Sequence, residues 1–174
     1  MKYFLVDMER NYNSPPDIID WHQKINVRDI TPERAGNIQD WTQVRIDNGD
    51  TAIFLDILDA PGFLLSPMVY DVIKFYNPYI QYKHIILQDS SAEVIKQYLL
   101  PILPTCDCLL PESEIGRGKD EIIYGVIDLE KTRRRPIIKI GGMSNIQIAF
   151  RLDLVESILR RGAKGFSLKE LEVR

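Results

Sequence analysis

The sequence predicts an α+β fold: a mixed, largely antiparallel sheet carrying two short strand–capped helix–strand units. Three observations predict it. Runs rich in apolar, β-branched and aromatic residues at Lys2 to Met8, Ile80 to Leu87, Pro136 to Ile140 and Phe166 to Val173 have strand length. The stretch Pro61 to Tyr76 (PGFLLSPMVYDVIKFY) passes from a strand-like run through Ser66 and Pro67 into an amphipathic helix. A second stretch, Arg151 to Leu168, repeats that logic near the end of the sequence and suggests a pseudo-repeat.

Lys2 to Met8 reads as a buried first strand, and Asn11 to Asp17 (NYNSPPD) as a loop, since Asn, Ser and paired prolines favour turns. Ile18 to Val27, which holds Trp21, fits a short strand or an irregular edge segment, and Thr31 caps a helical turn over Pro32 to Arg34. Trp41 to Ile46 is a strand, Asp47 to Asp50 a tight turn and Thr51 to Leu58 the returning strand, because Asn48-Gly49 is a strong hairpin signal. Ser66 can accept a bond from a free amide of the first helical turn, and Pro67 suits the first helical position, where no donor is needed. Met68, Val69, Val72, Ile73 and Tyr76 then recur on one side. Asn77-Pro78 stops the helix, and Ile80 to Leu87 returns as a strand.

Ser90 to Leu103 carries two signals. Ser90 with Glu93 imitates a capping box, and Val94, Ile95, Tyr98 and Leu99 fit a helix face. Pro101, Pro104 and the β-branched and aromatic content of the run fit an edge strand instead, which is the reading carried forward. Pro111 to Lys119 is an exposed loop, Glu121 to Leu129 a strand and Lys131 to Arg135 a basic turn. Pro136 to Ile140 and Ile146 to Leu152 are strands joined around Gly141-Gly142-Met143-Ser144-Asn145. In the last helix Asp153 serves as cap with Glu156 three residues on, and Leu154, Val155, Ile158 and Leu159 form the apolar side. Arg160 and Arg161 suit the negative end of the dipole, and Gly162 or Gly165 supplies the stop.

A single domain over residues 1–174 accounts for the length. Apolar content of 45% with 27% charged residues is that of an ordinary globular chain. A net charge of -3 weighs against a nucleic-acid partner, which calls for a basic surplus. No segment approaches the roughly 18 apolar residues of a membrane span, and the apolar core of MKYFLVDMERN is too short for a signal peptide. A cytoplasmic protein with no membrane partner is therefore expected. Cys106 and Cys108 are one residue apart, poorly placed for a disulfide, and His22 and His84 complete no zinc motif. They read as small buried thiols, and neither a metal nor a cofactor is expected.

Carboxylates are the first chemical candidates. Asp56 and Asp59, three apart on an extended chain, point to opposite faces, which disfavours a shared metal. Asp7 and Glu9 share a face without a third ligand. His84 sits beside Tyr82 and Ile86 as a packed or edge histidine, and His22 supports nothing specific. Gly116-Arg117-Gly118-Lys119 and Gly141-Gly142 lack phosphate-loop spacing, and no Gly-x-Ser-x-Gly elbow occurs. Lys131 to Arg135 is a solvated turn. No catalytic residue is assigned, and an enzyme would have to use Asp56, Asp59 or His84 in a pocket. Trp21, Trp41, Tyr76 and Tyr79 are the candidate partner-binding residues, because aromatic anchors carry much of the energy of interfaces.

One resemblance spans most of the chain. The segments MKYFLVD, FLLSPMVYDVIKFYNP leading into YKHIILQD, QYLLPILPTCDCL followed by ESE, then IDLEK, IIKI and RLDLVESILRRGAKGFSL occur in an order that resembles the immunity-protein families numbered eleven and forty-three. These families accompany bacterial polymorphic toxins. The resemblance implies a small cytoplasmic protein that binds and blocks a cognate toxin without catalysis. It transfers no site residue, because the toxin-facing surface diverges with the toxin. An oligomeric adaptor that pairs through an exposed sheet edge is the remaining alternative.

Overall fold

A computed structural model describes residues 1–11 and 14–174, so Tyr12 and Asn13 of the expected Asn11 to Asp17 loop lie outside the described residues. The fold is α+β, with mostly antiparallel sheets. After β1 (Tyr3–Met8) and the short α1 (Trp21–Lys24) comes a first run of elements. It comprises β2 (Trp41–Arg45), β3 (Ile57–Leu58), β4 (Leu64–Leu65), α2 (Pro67–Tyr76), β5 (Gln81–Asp89) and β6 (Val94–Ile102). An excursion through β7 (Thr105–Cys106), β8 (Glu114–Ile115) and β9 (Ile122–Tyr124) follows. The second run is β10 (Val126–Ile127), α3 (Leu129–Thr132), β11 (Ile137–Ile140), β12 (Gln147–Arg151), α4 (Leu152–Arg160) and β13 (Phe166–Val173).

The two runs build the same object. The five-stranded sheet has the order β2-β5-β6-β4-β3, and five strands of the six-stranded sheet have the order β10-β13-β1-β12-β11, with β7 added outside β11. In each, the first pair is parallel (β2 with β5, β10 with β13) and the three other pairs are antiparallel. In each, the helix links two strands that flank a central antiparallel strand. The central strand is β6 in the first half. In the second half the N-terminal β1 takes that place. The repeat suggested by helical spacing is therefore a repeat of topology, closed by the opposite end of the chain.

Local chemistry explains the helices. Ser66 accepts a bond from the Val69 amide at 3.4 Å, Pro67 starts α2, and Val69, Tyr70, Val72 and Ile73 are buried. The second helix starts differently from expectation. It begins at Leu152, before Asp153, and has no side-chain cap. Asp153 instead takes two bonds of 2.7 Å from the Arg151 guanidinium. Leu154, Val155 and Ile158 are buried as expected, but Leu159 is exposed. Gly162, at φ +79, lets the chain turn away, a conformation that costs a residue with a Cβ.

Three apolar clusters hold these layers. α2 and α4 bury Val69, Ile73, Leu154 and Ile158 against Leu65, Leu99 and Phe150 on the helix faces of the two sheets. The opposite face of the five-stranded sheet, with Val44, Ile85, Leu87 and Leu100, is covered by Trp21, Ile25, Ile30 and Ile38. On the opposite face of the larger sheet, Tyr3, Leu5, Ile138 and Ala149 pack with Cys106 and Ile127 of its own outer strands and with Cys108 and Ile122 from the segments beside it. Each Leu, Ile, Val or Phe side chain among them contributes about 1.5–3 kcal/mol on burial. Both thiols are free and buried, and burial pushes Cys108 up to about 12. Among the described residues no helix is long and apolar enough to cross a membrane.

Several local expectations change. Trp41 to Ile46 pairs in parallel with β5, so the Asn48-Gly49 hairpin does not form. Asn48 instead accepts the Asp17 amide and donates to the Pro15 carbonyl, tying the turn to the preceding loop. Of Thr51 to Leu58 only Ile57 and Leu58 are strand. β6 is a strand but an interior one, and Pro101 is accommodated because β4 meets β6 only at Leu99. Glu121 to Leu129 is split into β9 and β10, and Leu129 opens α3.

Ser90 to Glu93 is the turn joining β5 to β6, gripped by the buried Asp89. Its carboxylate accepts the Ser91 hydroxyl at 2.6 Å and amides of Gly49, Ser91 and Ala92. Those bonds, the Ser91 hydroxyl first, hold Asp89 down to about 2. A depressed carboxylate stabilises the fold above its unfolded pKa, and that contribution disappears as pH falls through the folded value. Asp89→Asn is therefore expected to lower the urea midpoint at pH 7. It should also flatten the loss of stability between about pH 4 and pH 2.

Candidate functional site

The four candidate aromatic anchors separate into two pairs. Trp21 is 1% exposed, in the cluster beneath the five-stranded sheet, with Gly62 pressed against its ring. That corrects its reading as a partner contact, since an enclosed indole meets nothing outside the fold. Tyr76 is half-buried, and its hydroxyl meets Ser157 Oγ at 2.6 Å and the Asp153 carbonyl at 3.1 Å, fastening α2 to α4. Trp41 and Tyr79 remain at the surface, 56% and 92% exposed.

The candidate catalytic residues are occupied by structural bonds. Asp56 accepts the Ser66 hydroxyl at 2.7 Å through one oxygen and the Lys164 amide at 2.8 Å through the other. Asp59 accepts the Met8 amide at 2.9 Å and the Arg10 guanidinium at 2.8 Å. The two carboxylates thus serve different junctions. His84 lies flat on Trp41, with ring centres 3.7 Å apart and planes within 3°, and its Nδ1 is 2.9 Å from the Gln97 amide nitrogen. Tyr82 and then Tyr70 continue this row at 5.3 and 4.6 Å, running from the edge strand to beneath α2.

A cleft of about 570 Å³ opens where the cover of the larger sheet ends, lined by Asp7, Arg10, Asp59, Asp120, Glu121 and Lys169 among others. Alternation along β1 puts Asp7 on the side of Tyr3 and Leu5, one step beyond the apolar cover. Burial first, and the Asp59 charge second, push the Asp7 carboxyl above the ordinary carboxylate range, with Arg10 and Lys169 opposing. The cations have other commitments: Arg10 pairs with Asp59, and Lys169 Nζ donates to the Ile122 carbonyl at 2.8 Å. Asp59 Oδ1 is buried without a hydrogen-bond partner among the described residues. A concave site with an elevated carboxylate can hold a proton or receive a cationic group. Sequence spacing paired Asp7 with Glu9; its electrostatic neighbour is Asp59, from the loop after β3, and no local signal joins them.

A raised carboxylate pKa means the charged form costs stability at neutral pH, and the cost fades as pH falls through the folded pKa. Asp7→Asn is accordingly expected to raise Tm at pH 7, with the gain over wild type closing as the pH is lowered to 4. Thermal melts across that range check it.

No family model matches the chain, and no curated protein matches it.

Proposed function

We propose that the chain is a non-enzymatic immunity protein, which binds a cognate bacterial toxin domain in the cytoplasm and blocks it by occlusion. The observation that carries this reading is a division of labour among the candidates. Asp56, Asp59 and His84 are spent on intramolecular contacts, while Trp41 and Tyr79 stand exposed. Exposed aromatics are the usual anchors of protein interfaces. The order of segments from MKYFLVD to RLDLVESILRRGAKGFSL supports the same reading.

The test is direct. The purified protein is mixed with the toxin domain encoded by the neighbouring open reading frame. A stable complex burying about 1,200–2,000 Å², together with loss of toxin activity, is the expected result. Failure to bind or inhibit any toxin encoded beside it removes the proposal.

The cleft favours a second reading, a small-molecule site in which Asp7 exchanges a proton or holds an amine. A substrate-dependent activity abolished by Asp7→Asn in a folded protein would replace the first reading with this one.

A further inference from the structure

The duplicated topology supplies an internal control for the surface. Leu65, just before α2, pairs with Leu99 of the central strand β6, and Phe150, just before α4, pairs with Phe4 of the central strand β1. Leu99 and Phe4 are therefore counterparts. Across from them stand His84 and Glu170, so these two are counterparts as well. Two residues back along the central strands, Gln97 corresponds to Lys2. The cross-strand contact of Gln97 with His84, at 2.9 Å, thus has its equivalent in the Lys2–Glu170 ion pair at 2.8 Å. On the outer strand β10, Val126 faces Glu172, and carrying that register two residues back puts Tyr124, the last residue of β9, at the position of Trp41. Tyr124 donates its hydroxyl to Glu172, whereas Trp41 stacks on His84.

One architecture therefore carries two different surfaces beyond the reach of its helix. In the second half it is closed by an ion pair and a tyrosine–carboxylate bond, the expected chemistry of a solvated face. In the first half the same positions hold Trp41, His84 and Gln97, and register adds Ile86 and the 65% exposed Ile95 to that side. No carboxylate occupies a strand position on this side of β2, β5 and β6. Arg45 projects from it with 67% of its side chain exposed and only a 3.5 Å contact to Asp20. An aromatic and aliphatic centre with no carboxylate among its strand positions, in a chain of net charge -3, is a departure that solvation does not require.

We propose that the Trp41–His84 face is the surface on which the toxin docks, and that the toxin meets it with an apolar segment bordered by carboxylates. The absence of carboxylates from the strand positions of this side, and the largely exposed Arg45 guanidinium, whose carboxylate contact is Asp20 at 3.5 Å, make that chemistry complementary. This assignment rests on the immunity reading and specifies its contact surface.

The experiment titrates the toxin domain of the neighbouring gene into the full-length protein and its variants by calorimetry. Trp41→Ala is expected to weaken binding at least about 30-fold and Ile95→Glu at least about 10-fold. Arg45→Glu should weaken it more than Arg45→Gln. Tyr124→Ala and Glu170→Gln, on the equivalent face, should bind as wild type does. All these side chains are exposed or at the rim, and matched thermal melts verify folding. If the toxin binds but Trp41→Ala and Ile95→Glu match wild type, the docking assignment is overturned while the immunity reading stands. If the wild-type protein binds no such toxin, the immunity reading falls, and light scattering decides the face. A dimer dissolved by Ile95→Glu would make the occupant a second copy. A monomer would make the face a solvated one. Both of those results overturn the assignment.

Discussion

Replacing Trp21 by alanine is expected to cost about 3–5 kcal/mol of folding stability, read as a lowered urea midpoint. The indole is 1% exposed and sits among Ile25, Ile30, Ile38, Val44 and Leu64. Its Nε1 has no hydrogen-bond partner among the described residues, so the loss is one of packing and burial. Gly62 shows how closely the ring is held: a Cβ there would lie 2.5 Å from Trp21 Cζ2. Gly62→Ala is consequently destabilising in the wild type but should be tolerated beside Trp21→Ala, where the space exists. A double-mutant cycle reads that coupling directly. Since whole domains are stable by only about 5–15 kcal/mol, the single change consumes a large share of the fold's margin. Trp41, 56% exposed, should by contrast cost much less stability when replaced by alanine.

Those two tryptophans show what can be read from sequence and what cannot. Trp21 lies in a short segment with no periodic pattern and Trp41 opens a strand, and residue type alone made both candidate anchors. Burial decides between them, and burial here depends on whether the five-stranded sheet lies over the segment. Local signals fared well. Ser66-Pro67 places the start of α2, and the apolar run from Phe166 to Val173 coincides with β13, because capping and strand propensity act within a few residues. Non-local pairing was not legible. Nothing near Trp41 announces a parallel partner at His84, and Asn48-Gly49 imitates a hairpin while its side-chain bonds go to Asp17 and Pro15. The repeat could be sensed in the matched helices. That β1 completes the second half could not, since the chain order conceals it. The cleft was hidden for the same reason, as Asp7 and Asp59 come together only through the packing of β1 beside β3.

Asp56→Ala is expected to lower stability by about 2–4 kcal/mol, because the carboxylate receives two hydrogen bonds that a methyl group cannot replace. Its position gives those bonds their weight. Asp56 lies between the first-half helix start and the loop leaving α4, and it is bonded to both. The Ser66 hydroxyl reaches one oxygen, and the Ser66 amide reaches the Asp56 carbonyl at 2.8 Å. The Lys164 amide reaches the other oxygen, and the Asp56 amide returns a bond to the Lys164 carbonyl at 3.2 Å. Next to it, Gly165 at φ +84 brings its backbone against Leu55, where a Cβ would lie 2.5 Å from a methyl carbon. The junction thus joins the two topological halves through main chain on both sides. Lys164→Ala should be nearly neutral, since the contact uses the backbone amide and not the ammonium group. Asp56→Asn keeps one acceptor oxygen and should fall between wild type and alanine. If the aspartate served chemistry instead, the alanine variant would unfold at the wild-type urea concentration. Coupling to Ser66→Ala supplies the decisive measurement: the double variant should lose less than the sum of the two single losses, because both remove the same bond.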